Sequence, residues 1–310
     1  MKRISRLIFL LALSTYITFA QQAAPMQPAK TVAERLGYPA SSRLLVIHAD
    51  DFGMMHSVNR AIITAFQNRW ITSASILVPC PWFPEVAKFA RENPQYDLGI
   101  HLALNSEWTP MRWGPIAPKT EVPSLLDPDG YLSLVETQVV KQARPAEVEI
   151  ELRAQIIKAQ QAGVKLSHLD THMGTVIRTP EMFTTYLRLG EAFHLPTLLE
   201  QRPDFQGVQL NPAAILIGRV LQISPGVPPE QWLDAYKKML TPLPLGSYQL
   251  IVHLGYDDDE LRGATYDHPD WGAAWRQHDL DMVSSAAFQQ FLREQGFVLV
   301  TWRELAKALP

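Results

Sequence analysis

Short apolar runs alternate with amphipathic stretches along most of the chain, starting near residue 41. The apolar runs have the length of buried strands, and the amphipathic stretches repeat their apolar residues at helical spacing. Strands are predicted at 43–50, 72–79, 97–104, 164–170, 196–200, 248–255 and 297–302. Helices are predicted at 57–68, 84–93, 145–163, 180–193, 229–240 and 285–296. This alternation is typical of parallel strands joined by crossover helices.

The number of strand–helix units predicts the fold class. About seven units over residues 41–310 predict an α/β protein with a single domain, an irregular (β/α) barrel resembling a TIM barrel, because such a barrel needs about 250 residues. Two Pro-rich segments, about 106–130 and 202–230, are predicted to be loop insertions, since the strand and helix pattern resumes on both sides. Residues 21–40 lack periodicity and are predicted to be a flexible leader.

The first twenty residues have the pattern of a secretory signal peptide. Basic residues Lys2, Arg3 and Arg6 precede an apolar run, and Ala20 ends a small-residue cleavage site. The apolar run is shorter than the roughly 20 residues that a membrane span needs, so we expect no stable membrane span in the mature protein. An uncleaved anchor is the alternative. The protein is therefore expected to be exported, either periplasmic or secreted.

Composition and charge narrow the classes of partner. The 310 residues are 47% hydrophobic and 19% charged, with a net charge of −3, as in a globular protein with a large core. No Lys/Arg-rich tract follows the N-terminus, so no nucleic-acid partner is expected. The single cysteine, Cys80, excludes an intrachain disulfide and a cysteine-based zinc site, and is predicted to be buried. The oligomeric state stays open, with a homodimer as one alternative.

Polar residues close four of the apolar runs. Because strand ends of a parallel barrel share one face, we expect them to converge there. They are Asp50, Asp51, His101, Asp170, His172 and His253. Carboxylates and imidazoles suit zinc and related divalent cations. A cation would also explain the adjacent aspartates, since one could bind it while the other acts as general base.

Four motifs carry a resemblance to a known family. "HADDFG", "GIHLAL", "HLDTHMG" and "VHLGYDDDEL" together resemble the YdjC-like carbohydrate deacetylases, also called the ChbG/HpnK family, which are distant relatives of the NodB-type polysaccharide deacetylases. The resemblance covers nearly all of residues 43–305. It implies hydrolysis of the N-acetyl group of an amino sugar, such as N-acetylglucosamine in a short oligosaccharide, with release of acetate.

The resemblance also implies roles for individual residues. Asp50 would be the general base, and His253 the general acid that protonates the leaving amine. Three residues would bind the metal: Asp51, His101 and His172. Zn²⁺ or Mg²⁺ is the expected cation, and Mn²⁺ or Co²⁺ is compatible with the same ligands.

Further residues have a functional and a structural interpretation. His48 could contact the site from outside the ligand shell or be a core histidine, and Asp170 could orient a metal-bound histidine or cap the following loop. Trp108, Trp271 and Tyr256 are candidates for substrate contact, with burial as the alternative for the tryptophans. The acidic run at 256–260 is predicted to be a solvated loop.

Two other functions remain as alternatives. A metal-dependent hydrolase of phosphoesters or other esters could use the same ligands, but a phosphate site favours Arg or Lys at strand ends or a Gly-rich loop, and none accompanies these motifs. A non-catalytic glycan-binding protein on this scaffold predicts loss of the base or of a ligand, whereas all five residues are present.

Overall fold

Parallel strands surrounded by helices form a nearly closed barrel in the computed structural model, which describes residues 30–200 and 214–309. The strands are β1 (Arg43–Phe52), β2 (Ser73–Ile76), β3 (Leu98–Leu102), β4 (Leu169–Thr171), β5 (Thr197–Glu200), β6 (Ala214–Ile217), β7 (Arg219–Leu221), β8 (Gly246–Val252) and β9 (Phe297–Leu299). The predicted α/β barrel is therefore confirmed. The predicted signal peptide at 1–20 lies outside the described residues.

The barrel closes through a stretch that was predicted to be a loop. The strand order is β6-β5-β4-β3-β2-β1-β8-β7. Only Gly218 separates β6, which pairs with β5, from β7, which pairs with β8, so residues 214–221 join the two ends of the sheet. The prediction of a loop insertion over 202–230 is wrong for this part, and residues 201–213 lie outside the described ranges.

The last strand lies beside the first. β1 pairs with β8 along residues 43–49. On its other side, residues 43–45 pair with β9, and the later part, from His48 to Phe52, pairs with β2. β9 therefore occupies the gap between β1 and β2 at the amino end of the barrel.

Eleven helices surround the strands within the described ranges. They are α1 (Val32–Arg35), α2 (His56–Gln67), α3 (Phe83–Glu92), α4 (Glu136–Gln142), α5 (Pro145–Gln161), α6 (Pro180–Ala192), α7 (Trp232–Leu240), α8 (Asp259–Ala264), α9 (Ala273–Ser284), α10 (Ala286–Glu294) and α11 (Trp302–Ala306). The six predicted helices are present, with ends shifted by a few residues. In these ranges, no helix is both long and apolar enough to cross a bilayer.

The acidic run is more structured than predicted. Asp258 caps α8 by accepting a hydrogen bond from the Leu261 N–H. Glu260 accepts one at 2.7 Å from the Ser57 N–H, which lies in the first turn of α2. Carboxylates at a helix amino end satisfy free N–H groups and interact favourably with the helix dipole. The run therefore ties α8 to α2 and is not simply a solvated loop.

The amino-terminal boundary of the compact unit differs from expectation, whereas the position of the single cysteine does not. The compact unit begins at Thr31, ahead of the boundary predicted at 41. Ala33 of α1 is buried in an apolar cluster with Leu44 and Trp302. Cys80 is buried, as predicted.

Candidate metal centre and active site

The polar residues that end β1, β3, β4 and β8 meet at the carboxyl end of the barrel. A cavity of about 550 Å³ opens there. Its lining includes all five residues of the predicted centre: Asp50, Asp51, His101, His172 and His253. The structure therefore brings together side chains from four strand ends that are distant in sequence.

The end of β1 separates its two aspartates. Asp51 has φ of +65°, a left-handed conformation that is uncommon outside glycine. Gly53 follows with φ of +109°, and its N–H donates to Asn59 Oδ1 at 2.8 Å. A Cβ at Gly53 would lie 3.0 Å from the Leu77 carbonyl oxygen. This tight turn directs the Asp50 and Asp51 carboxylates to different partners.

Three buried atoms that could ligate a metal ion converge on one point. Asp51 Oδ1 lies 3.7 Å from His101 Nε2 and 3.5 Å from His172 Nδ1. Asp51 Oδ1 accepts no hydrogen bond from any described residue. Ligands about 2.1 Å from a cation at tetrahedral angles lie roughly 3.4 Å apart. The spacing and the unpartnered oxygen therefore fit a divalent cation held by these three residues.

Each of these histidines is held by a carboxylate at its other ring nitrogen. His101 Nδ1 lies 3.0 Å from Asp170 Oδ2, and His172 Nε2 lies 2.9 Å from Glu107 Oε2. Such outer contacts fix the orientation and tautomer of a metal-binding imidazole. Asp170 also accepts a hydrogen bond from the Thr171 N–H. It therefore fits both roles considered from the sequence, orienting a histidine and capping the loop that follows. Burial lowers the pKa of His172, but Glu107 and Asp51 together raise it to about 10.

Arg276 of α9 is a site residue that sequence reasoning missed. Its Nη2 donates to Asp51 Oδ2 at 2.7 Å, and both side chains are buried. Burial alone would raise the pKa of Asp51, yet Arg276 and His172 hold it well below its usual range. Asp51 is therefore ionised, with one oxygen bound to Arg276 and the other free for a cation.

Asp50 lies in a different environment from its neighbour. Its Oδ1 is 3.3 Å from His48 Nε2 and accepts a hydrogen bond from Ser75 Oγ at 3.4 Å. His48 Nε2 is also 3.4 Å from Asp170 Oδ2. Burial and the Asp170 carboxylate raise the pKa of Asp50 well above its ordinary value.

His48, Asp50 and Asp170 form a second cluster with the donor types of a metal site. Only Asp50 of the three lines the cavity. Asp170 Oδ2 is already within hydrogen-bond distance of His101 and Ser75. We therefore place the candidate metal centre at Asp51, His101 and His172.

His253 is held through its backbone. Its N–H donates to Asp279 Oδ2 at 2.8 Å, and its ring packs against Trp275. Its Nε2 lies 3.9 Å from Asp50 Oδ2. Burial lowers the pKa of His253 to about 3, and Arg276 acts in the same direction. The imidazole is therefore neutral at pH 7 in the metal-free protein.

The three candidates for substrate contact differ in position. Trp271 lines the cavity and is 38% exposed. Trp108 also lines it but is only 3% exposed, with the Arg276 guanidinium 5.7 Å from its ring centre. Tyr256 does not line the cavity, and its hydroxyl donates to Thr64 Oγ1 at 3.2 Å. Trp271 thus offers the most accessible aromatic surface of the three.

Comparison with known proteins identifies the family. A family model described as YdjC-like protein matches residues 44–294. A carbohydrate deacetylase of Thermus thermophilus is 35% identical over 289 residues, covering 89% of this chain and 98% of that protein. One from Brevibacillus brevis is 29% identical over 273 residues, covering 84% of this chain and 99% of that protein.

A solved structure confirms the fold. It comes from Enterococcus faecalis and is described as a candidate cellobiose-phosphate cleavage protein. The two share 23% identity with a TM-score of 0.72, covering 86% of this chain and 99% of that one. The resemblance carried by the four sequence motifs is therefore confirmed by the family model and by full-length relatives. This chain belongs to the YdjC-like protein family.

Proposed function

We propose that this chain is a metal-dependent deacetylase of amino-sugar oligosaccharides of the N-acetylglucosamine type, releasing acetate. The observation that carries the proposal is the convergence of Asp51 Oδ1, His101 Nε2 and His172 Nδ1 beside the buried carboxylate of Asp50. The Thermus and Brevibacillus relatives are named carbohydrate deacetylases, which supports removal of an acetyl group from a carbohydrate. The cavity volume of about 550 Å³ falls within the roughly 300–1,000 Å³ of small-molecule sites.

A divalent cation in this site would polarise the amide carbonyl and lower the pKa of the attacking water. Asp50 is the candidate general base, because its carboxylate lines the cavity beside Asp51 and burial with the Asp170 charge raises its pKa, which makes the carboxylate more basic. His48 and Ser75 hold Asp50 Oδ1, which leaves Oδ2 as the oxygen that accepts the proton.

His253 is the candidate for delivering a proton to the leaving nitrogen. Because its pKa is about 3, it is neutral at pH 7 and must first receive the proton it delivers. Asp50 Oδ2 lies 3.9 Å from His253 Nε2, close enough for transfer after a small movement. In this scheme the proton that Asp50 takes from water reaches the amine through His253. Transfer to the imidazole is unfavourable by itself, because its pKa is low and that of Asp50 is raised, and the basic amine completes it by accepting the proton.

The phosphoester alternative is less well supported by the charges around the cavity. Among the described residues that line it, Arg178 and Arg276 are the cationic side chains that could bind phosphate. Arg178 is paired with Glu136 and Arg276 with Asp51, each at 2.8 Å or less. Both arginines are therefore already neutralised by carboxylates.

The test is acetate release from chitobiose and longer N-acetylglucosamine oligomers. We expect activity that a chelator abolishes and that single metals restore, with Zn²⁺, Mg²⁺, Mn²⁺ and Co²⁺ compared. Absence of acetate release with every metal, from protein shown to bind one stoichiometrically, would rule out the amino-sugar substrate. Phosphate release from a phosphorylated sugar under the same conditions would favour the alternative.

We further propose that the protein acts outside the cytoplasm, on the evidence of its first twenty residues. The test is N-terminal sequencing of protein recovered from fractionated cells. Protein in the periplasm or medium that starts near residue 21 would support export. Full-length protein confined to the cytoplasm would refute it.

A further inference from the structure

We propose that Glu107 is a positioning residue that fixes which nitrogen of His172 faces the metal centre. Glu107 Oε2 lies 2.9 Å from His172 Nε2, whereas His172 Nδ1 faces Asp51 Oδ1. The inference rests on the proposed function, because it assumes that Asp51, His101 and His172 hold a cation.

The direction of the hydrogen bond follows from the chemistry of the two groups. An ionised carboxylate can only accept, so His172 Nε2 must donate and must carry a hydrogen. Because Nε2 keeps its hydrogen for Glu107, Nδ1 is the nitrogen that can give up its proton and offer a lone pair to a cation. Loss of the Glu107 carboxylate removes this preference, and the ring is then free to rotate or to change tautomer.

Glu107 itself is held in place by a buried side chain. Asn105 Nδ2 donates to Glu107 Oε2 at 3.2 Å, and Asn105 Oδ1 accepts from Thr175 Oγ1 at 2.8 Å. Asn105 and Thr175 are fully buried. These bonds connect the loop after β3 to the turn after β4, which begins at His172. The Glu107 contact is therefore part of a fixed network rather than a chance surface contact.

Glu107 contacts His172 and Asp170 contacts His101, and the two carboxylates differ in how deeply they are buried. Asp170 is buried and also contacts His48 and Ser75, so its replacement would disturb the barrel interior. Glu107 lines the cavity and is partly accessible, so its replacement can be tolerated by the fold. This difference makes Glu107 suitable for a test that separates metal positioning from stability.

The experiment measures Zn²⁺ binding to metal-free protein by calorimetry, which does not depend on activity. Replacing an outer carboxylate of a metal-bound histidine typically weakens metal binding about 10–100-fold. We expect Glu107→Ala to weaken Zn²⁺ binding by about 100-fold, because it removes the group that accepts the His172 hydrogen bond. Glu107→Gln should weaken it by only about 10-fold, because the amide oxygen can still accept the hydrogen bond although it carries no charge.

A matched control is Glu149→Gln, which also removes one negative charge. Glu149 pairs with Arg153 and Arg188 on the outside of the barrel, away from the cavity. The Zn²⁺ affinity of Glu149→Gln should equal that of the wild type. The unfolding midpoint of each metal-free variant shows whether the fold is retained. If Glu107→Ala does not fold, Glu107→Gln decides the question.

The outcomes for this inference and for the proposed function can be distinguished. Wild-type affinity in a folded Glu107→Gln and Glu107→Ala protein would overturn the role of Glu107 and leave the metal centre intact. Failure of the wild type to bind Zn²⁺ or any other divalent cation would instead overturn the metal centre, and with it the proposed function.

Discussion

Arg276 Nη2 lies 2.7 Å from Asp51 Oδ2, and the two side chains are only 3% and 2% exposed. The pair joins α9 to the end of β1, 225 positions earlier in the chain. It supplies a positive charge to a buried carboxylate when no cation is bound. The carboxylate of the candidate metal centre is therefore charge-paired in the metal-free protein.

Breaking this pair should destabilise the metal-free protein. Arg276→Met removes the charge but keeps much of the side-chain length, and leaves Asp51 buried without its partner. Loss of one member of a buried pair costs about 3–5 kcal/mol. Urea unfolding should show this loss, and Zn²⁺ should restore more stability to the variant than it adds to the wild type. Arg188→Met, at an exposed ion pair, is the control, and equal stability of the two variants would contradict the argument.

Asp50→Asn should retain the metal and lose nearly all turnover. The amide keeps the shape of the side chain but cannot take a proton, and a general base contributes about 10²–10⁴-fold to rate. Acetate release and metal content should be measured on the same preparation. Substantial turnover by a metal-loaded Asp50→Asn protein would exclude Asp50 as the base.

Metal binding should release a proton. The pKa of His172 is raised from 6.5 to about 10, so at pH 7 the metal-free imidazole is protonated and a cation must displace a proton from Nδ1. The affinity should therefore rise with pH and fall as the solution is acidified. Calorimetry in buffers of different ionisation enthalpy measures the released protons, and about one per cation is expected from His172. Binding enthalpies that do not depend on the buffer would refute this.

Asp279→Asn should lower both stability and turnover. The Asp279 carboxylate accepts from the Tyr236 hydroxyl, Trp232 Nε1 and the His253 N–H. An amide has one acceptor atom instead of two, so at least one buried donor would face another N–H. A buried donor left without an acceptor lowers the free energy of unfolding by about 1–3 kcal/mol. The midpoint of urea unfolding and the rate of acetate release should both decrease. Unchanged turnover would show that the role of His253 does not depend on its hydrogen bond to Asp279.

Gly99→Ala should destabilise the barrel interior. A Cβ at Gly99 would overlap the His168 ring, which is fully buried and stacks on Trp302. Overpacking of this kind costs about 1–3 kcal/mol. Gly263→Ala is the matched control, because a Cβ at Gly263 would have no described atom within 4 Å and alanine favours the helix α8. Thermal unfolding should separate the two, and equal midpoints would contradict the packing argument.

The strand ends could be predicted well because their pattern is local. Asp50, Asp51, His101, His172 and His253 each follow an apolar run, and barrel geometry alone requires such ends to meet. The same reasoning predicted the parallel strands and the crossover helices. Their convergence around one cavity was therefore accessible from the sequence, whereas their chemical roles stay predictions.

Arg276 and α9 could not be recognised from local pattern. α9 buries Arg276 and Asp279, so the face of the helix that meets the barrel is partly charged and the apolar repeat is interrupted. The buried Arg276 is explained by its ion pair with Asp51 and its hydrogen bond to the Trp271 carbonyl oxygen, both of which only the folded chain shows. Glu107 was missed for a related reason, since it lies in a Pro-rich loop and its partner His172 is 65 residues away.

The position of β9 has a consequence for the order of folding. β1 carries both aspartates, yet two of its three neighbouring strands, β8 and β9, come from the last part of the chain. A nascent chain that has left the ribosome only as far as α6 has β1 paired on one side at most, and such distant pairings form slowly. The contact between Asp51 and Arg276 of α9 therefore assembles late. A prematurely terminated chain would lack this contact at the candidate metal centre, so the Asp51–Arg276 pair marks completed folding.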